Sequence, residues 1–336
     1  MFPGIFRITT VKQKMRKIFF PCDIIVAMIF SHVGSDFMQQ ISPKIYLLMT
    51  LSAASWGFQP NCIKWLAEVW TPFTITIVRF FLLGILLLAY ARLVDKKPLL
   101  PPKECWPYLM LMGFSGVTIN NVAQFTGIVY TTVTNSTLIS AMTPAITAVM
   151  AFIIIHEKLS RISLAGIVIS FIGVLLIVSR GSWDVIRHIA FNHGDVLCFL
   201  SQCAWAGYTL AANHVLHRMS AEWATGCASI CGAFFTLLVG IAAGQFAPVP
   251  LTGRALYSFA YVLLLGGVFS MVSWNLAVKY AGPSVTPIFL NIMPVVGMIS
   301  GHILFHDEIG LPQIAGAVAI GVGVWLTTHG KHVATR

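Results

Sequence analysis

Apolar residues along this chain run in long unbroken stretches, not in the alternating or 3.6-residue stripes of elements that face water on one side. A membrane-spanning helix needs about 20 consecutive apolar residues. Ten segments approach that length, at about 44–62, 72–91, 105–128, 132–155, 162–179, 194–213, 222–243, 256–278, 284–305 and 311–328. Short polar connections separate them. The pattern predicts an all-α integral membrane protein of ten transmembrane helices. Ahead of them, Lys12, Lys14, Arg16 and Lys17 precede IFFPCDIIVAMIF, the charge-then-apolar order of a signal peptide in a stretch too short to span. Residues 1–43 are read as an N-terminal tail, or as a start-site extension ahead of Met38.

Two of the stretches share a layout. Residues 139–159 read ISAMTPAITAVMAFIIIHEKL and residues 291–309 read NIMPVVGMISGHILFHDEI. A gapless shift of 150 residues pairs Gly116 with Gly266, Tyr130 with Tyr280, Pro144 with Pro294, His156 with His306, Glu157 with Asp307, Gly166 with Gly316 and Gly173 with Gly323. Over positions 116–176, 12 of 61 residues are identical. Identity among apolar residues is cheap evidence, so the Pro, Gly and acid pairs carry the argument. A shift of 149 pairs Trp56 with Trp205. The expected organisation is a repeat at 44–180, a second at 194–330 and a short tail at 331–336. Five helices per repeat is an odd number, so the repeats enter the membrane in opposite senses. That is the inverted arrangement of secondary transporters, whose solute site lies near the bilayer midplane between the repeats.

Composition agrees. The chain is 57% hydrophobic and 10% charged, whereas soluble domains carry about a quarter charged residues. Its net charge of +10 is spread over short loops, which excludes the clustered basic face of a nucleic-acid binder. With the amino terminus placed in the cytoplasm, 16 of the 21 Lys and Arg residues fall on the cytoplasmic side, four outside and Arg79 within the membrane. The bias predicts cytoplasmic termini. Seven cysteines lack metal-ligand spacing and fall mostly in apolar segments, as small buried hydrophobes do.

The doubled layout of Pro, acid, Gly and Gly (Pro144, Glu157, Gly166, Gly173; Pro294, Asp307, Gly316, Gly323) resembles the drug/metabolite transporter superfamily, in its ten-helix EamA-type branch. The Trp56-Gly57 pair and Arg79 support it. The second half departs in having Ala206 after Trp205. The resemblance covers about residues 44–330 and implies a multi-pass carrier of a bacterial inner membrane that exports or exchanges amino acids, related metabolites or drugs. It does not name the solute.

Candidate chemistry is sparse. Arg79 is the ionisable residue placed deepest in hydrocarbon, where a charge marks function unless carbonyls hold it structurally. All eleven acids fall in the tail, loops or helix ends, which argues against a buried-carboxylate proton antiporter. Glu157 and Asp307 read as interfacial turn residues. Asn120, Asn121 and Gln124, with 120 and 124 on one helix face, stand at the depth of Ser270, Ser273, Trp274 and Asn275 in the other repeat. Trp56, Gln59, Trp205 and Tyr208 add rings and amides that suit an amphipathic solute, although interhelical packing uses the same residue types. Gln124 and Trp274, equivalent by the offset, are expected to face one solute. Pro144 and Pro294 each remove a backbone hydrogen bond and kink a helix, with Ser140, Thr143 and Asn291 as candidate replacements, and Ser140 and Asn291 also count as candidate solute contacts. Gly240-x-x-x-Gly244 and Gly297-x-x-x-Gly301 suit helix packing, within the bundle or across a homodimer. No catalytic set, metal site or cofactor motif is legible. The expectation is a secondary carrier in the lipid bilayer with a small-molecule substrate; a channel, a membrane receptor and an intramembrane enzyme stand as alternatives.

Overall fold

The structure, a computed structural model, describes residues 43–98, 100–130, 139–157, 159–188, 192–305 and 309–334. Residues 45–336 form one unit, to which everything below refers. His306, Asp307 and Lys158 lie outside the described residues.

Among the described residues the ten expected segments are ten helices with no strand. They are α1 (Pro43–Ala67), α2 (Pro72–Leu93), α3 (106–130), α4 (Thr143–Ile155), α5 (Arg161–Ser179), α6 (His193–Leu216), α7 (Ala221–Ala242), α8 (Gly253–Ala281), α9 (286–305) and α10 (Leu311–Ala334). By length and composition α2, α5, α7, α8 and most of α10 can each cross a membrane. Their outward faces are apolar. On α4, Val149, Phe152, Ile153 and Ile154 are all exposed; hydrocarbon suits such a face and water does not. Helix starts are set locally. Thr71 caps α2 by accepting from the Thr74 N–H at 3.1 Å, ahead of Pro72. Asn192 and Asp195 cap α6 reciprocally, at 3.2 and 2.6 Å.

The repeats pack on one another through reciprocal contacts. A Cβ added to Gly166 of α5 would lie 2.6 Å from the Gly323 carbonyl oxygen of α10, and one added to Gly323 would lie 2.6 Å from the Gly166 carbonyl oxygen. Gly173 and Gly316 are related in the same way, again at 2.6 Å. Residue i touching j′ while j touches i′ is the signature of a two-fold axis. The two glycines of each motif, seven apart, therefore form an antiparallel seam in which two backbones meet with no side chain between them. Ser163 Oγ donates across the same seam to the Thr327 carbonyl at 3.0 Å.

The same symmetry appears in irregular backbone. α3 contains a π-helical turn at Gly113–Ile119 and α8 one at Leu264–Phe269, at matching places in the two repeats. π turns are rare, and they leave carbonyls that need partners outside the regular ladder. Neither was legible as a break in the apolar pattern. Small residues admit the neighbours: a Cβ added to Gly113 of α3 would lie 2.6 Å from the Gly232 backbone nitrogen of α7.

The prolines sit at breaks. Pro144 occupies the first turn of α4, after a turn at Met142, and the carbonyl its absent N–H would have bonded, that of Ser140, accepts from the Thr143 hydroxyl at 2.5 Å. Pro294 follows a 3-10 segment, Thr286–Ile292, whose tighter winding gives the Leu290 carbonyl the Met293 N–H. Asn291, considered for that role, is turned instead to Ser170 of α5, donating at 2.9 Å. Gly240 packs on Phe73 and Ile77 of α2, while Gly297 faces open space.

Candidate functional site

Where α1, α2, α6 and α8 meet, one group collects side chains from both repeats. Trp56 of α1 touches Trp205 of α6 edge-on, with ring centroids 5.7 Å apart, and Trp274 of α8 at 5.5 Å. Trp205 lies 5.2 Å from Trp274 and stacks on Tyr208 at 4.9 Å, nearly parallel. Trp274 and Tyr208 are fully buried. Tyr208 accepts from the Asn275 amide at 2.8 Å, and the same amide nitrogen reaches the Thr225 hydroxyl at 2.6 Å.

Arg79 of α2 joins this group through the π turn of α8. The Gly266 carbonyl accepts from the Trp56 indole N–H at 2.8 Å and from Arg79 Nη2 at 2.9 Å. Arg79 Nη2 also donates to Gln59 Oε1 at 3.3 Å, and the guanidinium lies 5.0 Å over the Phe80 ring. The side chain is 4% exposed. Among the described residues no carboxylate pairs with it; Arg218 pairs with Glu104 and Arg254 with Glu68, near helix ends. At Gly266 the Gln59 side chain takes the space a Cβ would fill, its Oε1 2.1 Å from that point. In the other repeat Tyr208 crowds Gly116 in the same way, at 2.3 Å. Gln59 and Tyr208 are equivalent by the 149-residue shift.

A second group joins α3, α4 and α6. Gln124 Oε1 accepts from Ser201 Oγ at 2.5 Å and from Gln202 Nε2 at 2.9 Å, and Gln202 Oε1 accepts from Thr143 at 2.7 Å. Asn120 donates to the Ser201 carbonyl at 3.0 Å, and Ser140 Oγ lies 3.5 Å from Gln202 Nε2. Asn120 and Gln124 thus use one face, both reaching Ser201. Gln124 and Trp274 fall in different groups.

Three expected residues are engaged elsewhere. Asn121 donates to the Gly116 and Val117 carbonyls of its own π turn, at 3.2 and 2.8 Å. Ser270 donates to the Leu265 carbonyl of the other π turn at 2.7 Å, and Asn291 is held by Ser170. Sequence reasoning missed Gln202 and the Gly266 carbonyl. A signal for the first existed: Ser52-x-x-x-Trp56 repeats as Ser201-x-x-x-Trp205, which marks residues one turn before each tryptophan. Glu157 accepts from Ser284 in the turn between α8 and α9, at 2.9 Å. Among the described residues no His, Cys, Asp and Glu cluster has metal-holding geometry.

The model of the EamA-like transporter family matches this chain twice, over residues 43–179 and 192–329. The chain belongs to the EamA-like transporter family. This EamA-like protein is similar to an uncharacterized transporter of Archaeoglobus fulgidus, 27% identical over 87% of this chain and all of that one. It is equally similar to the uncharacterized transporter YyaM of Bacillus subtilis, 27% identical over 85% and 93% of the two chains. A WAT1-related protein of Arabidopsis thaliana is 24% identical over 78% and 80%. One crystal structure superposes with a TM-score of 0.68 at 14% identity, covering 85% of this chain and 96% of the other, a likeness of fold. The resemblance carried by the doubled Pro, acid, Gly, Gly layout is therefore borne out. The EamA-like chain is a membrane transporter and not an enzyme.

Proposed function

We propose that this transporter is a secondary carrier that exports or exchanges a small amphipathic metabolite, such as an amino acid or a related compound or drug, by alternating access around the Trp56, Trp205 and Trp274 group. One observation carries the reading: the rings and amides of that group come from both repeats and meet at the two-fold-related Trp56 and Trp205, so a solute held there is touched by both halves. The matched π turns of α3 and α8 add backbone that can shift register on either side of it. Proteoliposomes containing the pure protein should show saturable counterflow. Trp205→Ala should lower it about tenfold, the scale of losing aromatic contacts worth about 0.5–1.5 kcal/mol each. Unsaturable conductance would mark a channel instead.

The membrane is read as a bacterial inner membrane, with both termini cytoplasmic. Glu68 and Arg254 pair at 3.3 Å, which puts the start of α8 beside the start of α2, and Lys97 follows the far end of α2 about 30 Å away at 1.5 Å per residue. Single cysteines at Lys97 and Arg254, in a cysteine-free background, should react with an impermeant thiol reagent from opposite faces, Lys97 from the cytoplasm. Labelling of Lys97 from outside would reverse the orientation.

A further inference from the structure

The hydrogen-bonding capacity at the centre of the bundle is unbalanced, and the imbalance has a sign. Arg79 Nε is buried without a partner, and so are the indole N–H groups of Trp205 and Trp274. All three are donors with no capacity to accept. They belong to one continuous group, because Trp205 and Trp274 both touch Trp56, and Trp56 shares the Gly266 carbonyl with Arg79. The Ser52 and Ser55 hydroxyls of α1, also unpartnered, can donate or accept, and one nearby unpartnered atom can only accept, Asn275 Oδ1. Its amide faces two hydroxyls, Tyr208 and Thr225, that can donate as readily as accept; exchanging the amide oxygen and nitrogen satisfies it and adds to the surplus of donors.

Buried donors without acceptors are costly, and a buried cation without a counter-ion more so. The two acceptors Arg79 now has, a backbone carbonyl and the Gln59 amide, are neutral. A guanidinium offers a planar fork that matches two oxygens of one carboxylate. Flat indole faces beside it suit an apolar or aromatic body. A cationic solute would meet Arg79 with no acid nearby among the described residues, and a dianion would leave one charge uncompensated.

We propose that the central site takes a monoanionic carboxylate with an apolar or aromatic body, with Arg79 as its counter-ion and the Trp205 and Trp274 indole N–H groups as further donors. The inference rests on the reading of this group as the transport site and names its substrate class.

The test uses the full-length protein in detergent and in proteoliposomes, with small aryl and alkyl monocarboxylic acids, each matched by its primary amide and its amine. Thermal stabilisation reports binding, and counterflow reports transport. The expected result is stabilisation by acids, with about tenfold preference for an acid over its amide, the scale of a hydrogen bond to a charged group. Arg79→Gln should erase that preference, lowering acid binding about tenfold to the level of the matched amide. Arg79→Lys, which keeps the charge and loses the fork, should weaken acid binding yet keep the preference, and it guards against a glutamine variant that does not fold. Stabilisation confined to amines or amides, equal binding of acid and amide, or no stabilisation by any acid would each overturn the proposal. Counterflow of amines or amides would then leave the carrier reading standing. Acids that bind through Arg79 without counterflow would support the carboxylate site and sink the carrier reading.

Discussion

Gly323→Leu is expected to leave little folded protein. The position faces the Gly166 carbonyl at 2.6 Å, the Ser170 Cβ at 2.6 Å and the Ser170 backbone nitrogen at 2.7 Å, measured from where a first side-chain carbon would stand. Two of these three atoms are backbone, so rotamer changes cannot make room and α5 and α10 must separate. Overpacking by a few atoms costs about 1–3 kcal/mol even where neighbours can yield. A leucine that parts the seam along Gly166, Gly173, Gly316 and Gly323 puts at risk most of a total stability of about 5–15 kcal/mol. Gly323→Ala should be milder, lowering stability by about 1–3 kcal/mol. Gly321, two residues earlier on the same helix, has open space around it, and Gly321→Ala should be neutral or slightly stabilising through helix propensity. Monodispersity on gel filtration and thermal midpoints in one detergent decide the matter. Equal midpoints for the two alanine variants would show that the seam is not closely packed in the membrane protein as isolated.

That seam was legible in the sequence as a spacing, glycines seven apart in each half, without any hint that the two spacings meet. The ten spans and the duplication were legible for a physical reason: lipid demands long apolar runs, and an inverted repeat leaves its prolines, glycines and acids in register. The site was legible only in part. The offset equates Gln124 with Trp274, but two-fold partners touch only when they lie near the axis. Trp56 and Trp205 lie there and touch, whereas Gln124 joins Gln202 and Trp274 joins the tryptophans. The π turns left no trace because Gly113–Ile119 and Leu264–Phe269 hold only apolar and small residues, with no charge or amide whose shift of face could be seen. Arg79 was visible as a charge in hydrocarbon, but its acceptor, the Gly266 carbonyl, is backbone, and backbone acceptors have no signature in residue identity.

The equivalence of the halves also sets out an exchange that one variant pair can test. Between α7 and α3, Gly232 receives Val117, whose Cβ lies 2.4 Å from where a Gly232 side chain would begin. At the equivalent crossing of α2 and α8 the roles are reversed: Leu83 is the large residue, and its Cδ1 lies 2.8 Å from the corresponding point on Gly267. Large meets small at both crossings, from opposite partners. Leu83→Gly alone opens a cavity at a fully buried position, at about 2–5 kcal/mol as for other buried leucines. Gly267→Val alone drives a branched side chain into Leu83, at about 1–3 kcal/mol. Together the two changes recreate the glycine and valine arrangement of the α7 and α3 crossing, and valine fills the space leucine leaves. The double variant should therefore be more stable than the sum of the single losses implies, by about 0.5–3 kcal/mol, the range for residues in contact. Unfolding titrations of all four proteins in mixed micelles measure that coupling. Strict additivity would mean that the two crossings, although related by the repeat, are packed on different principles.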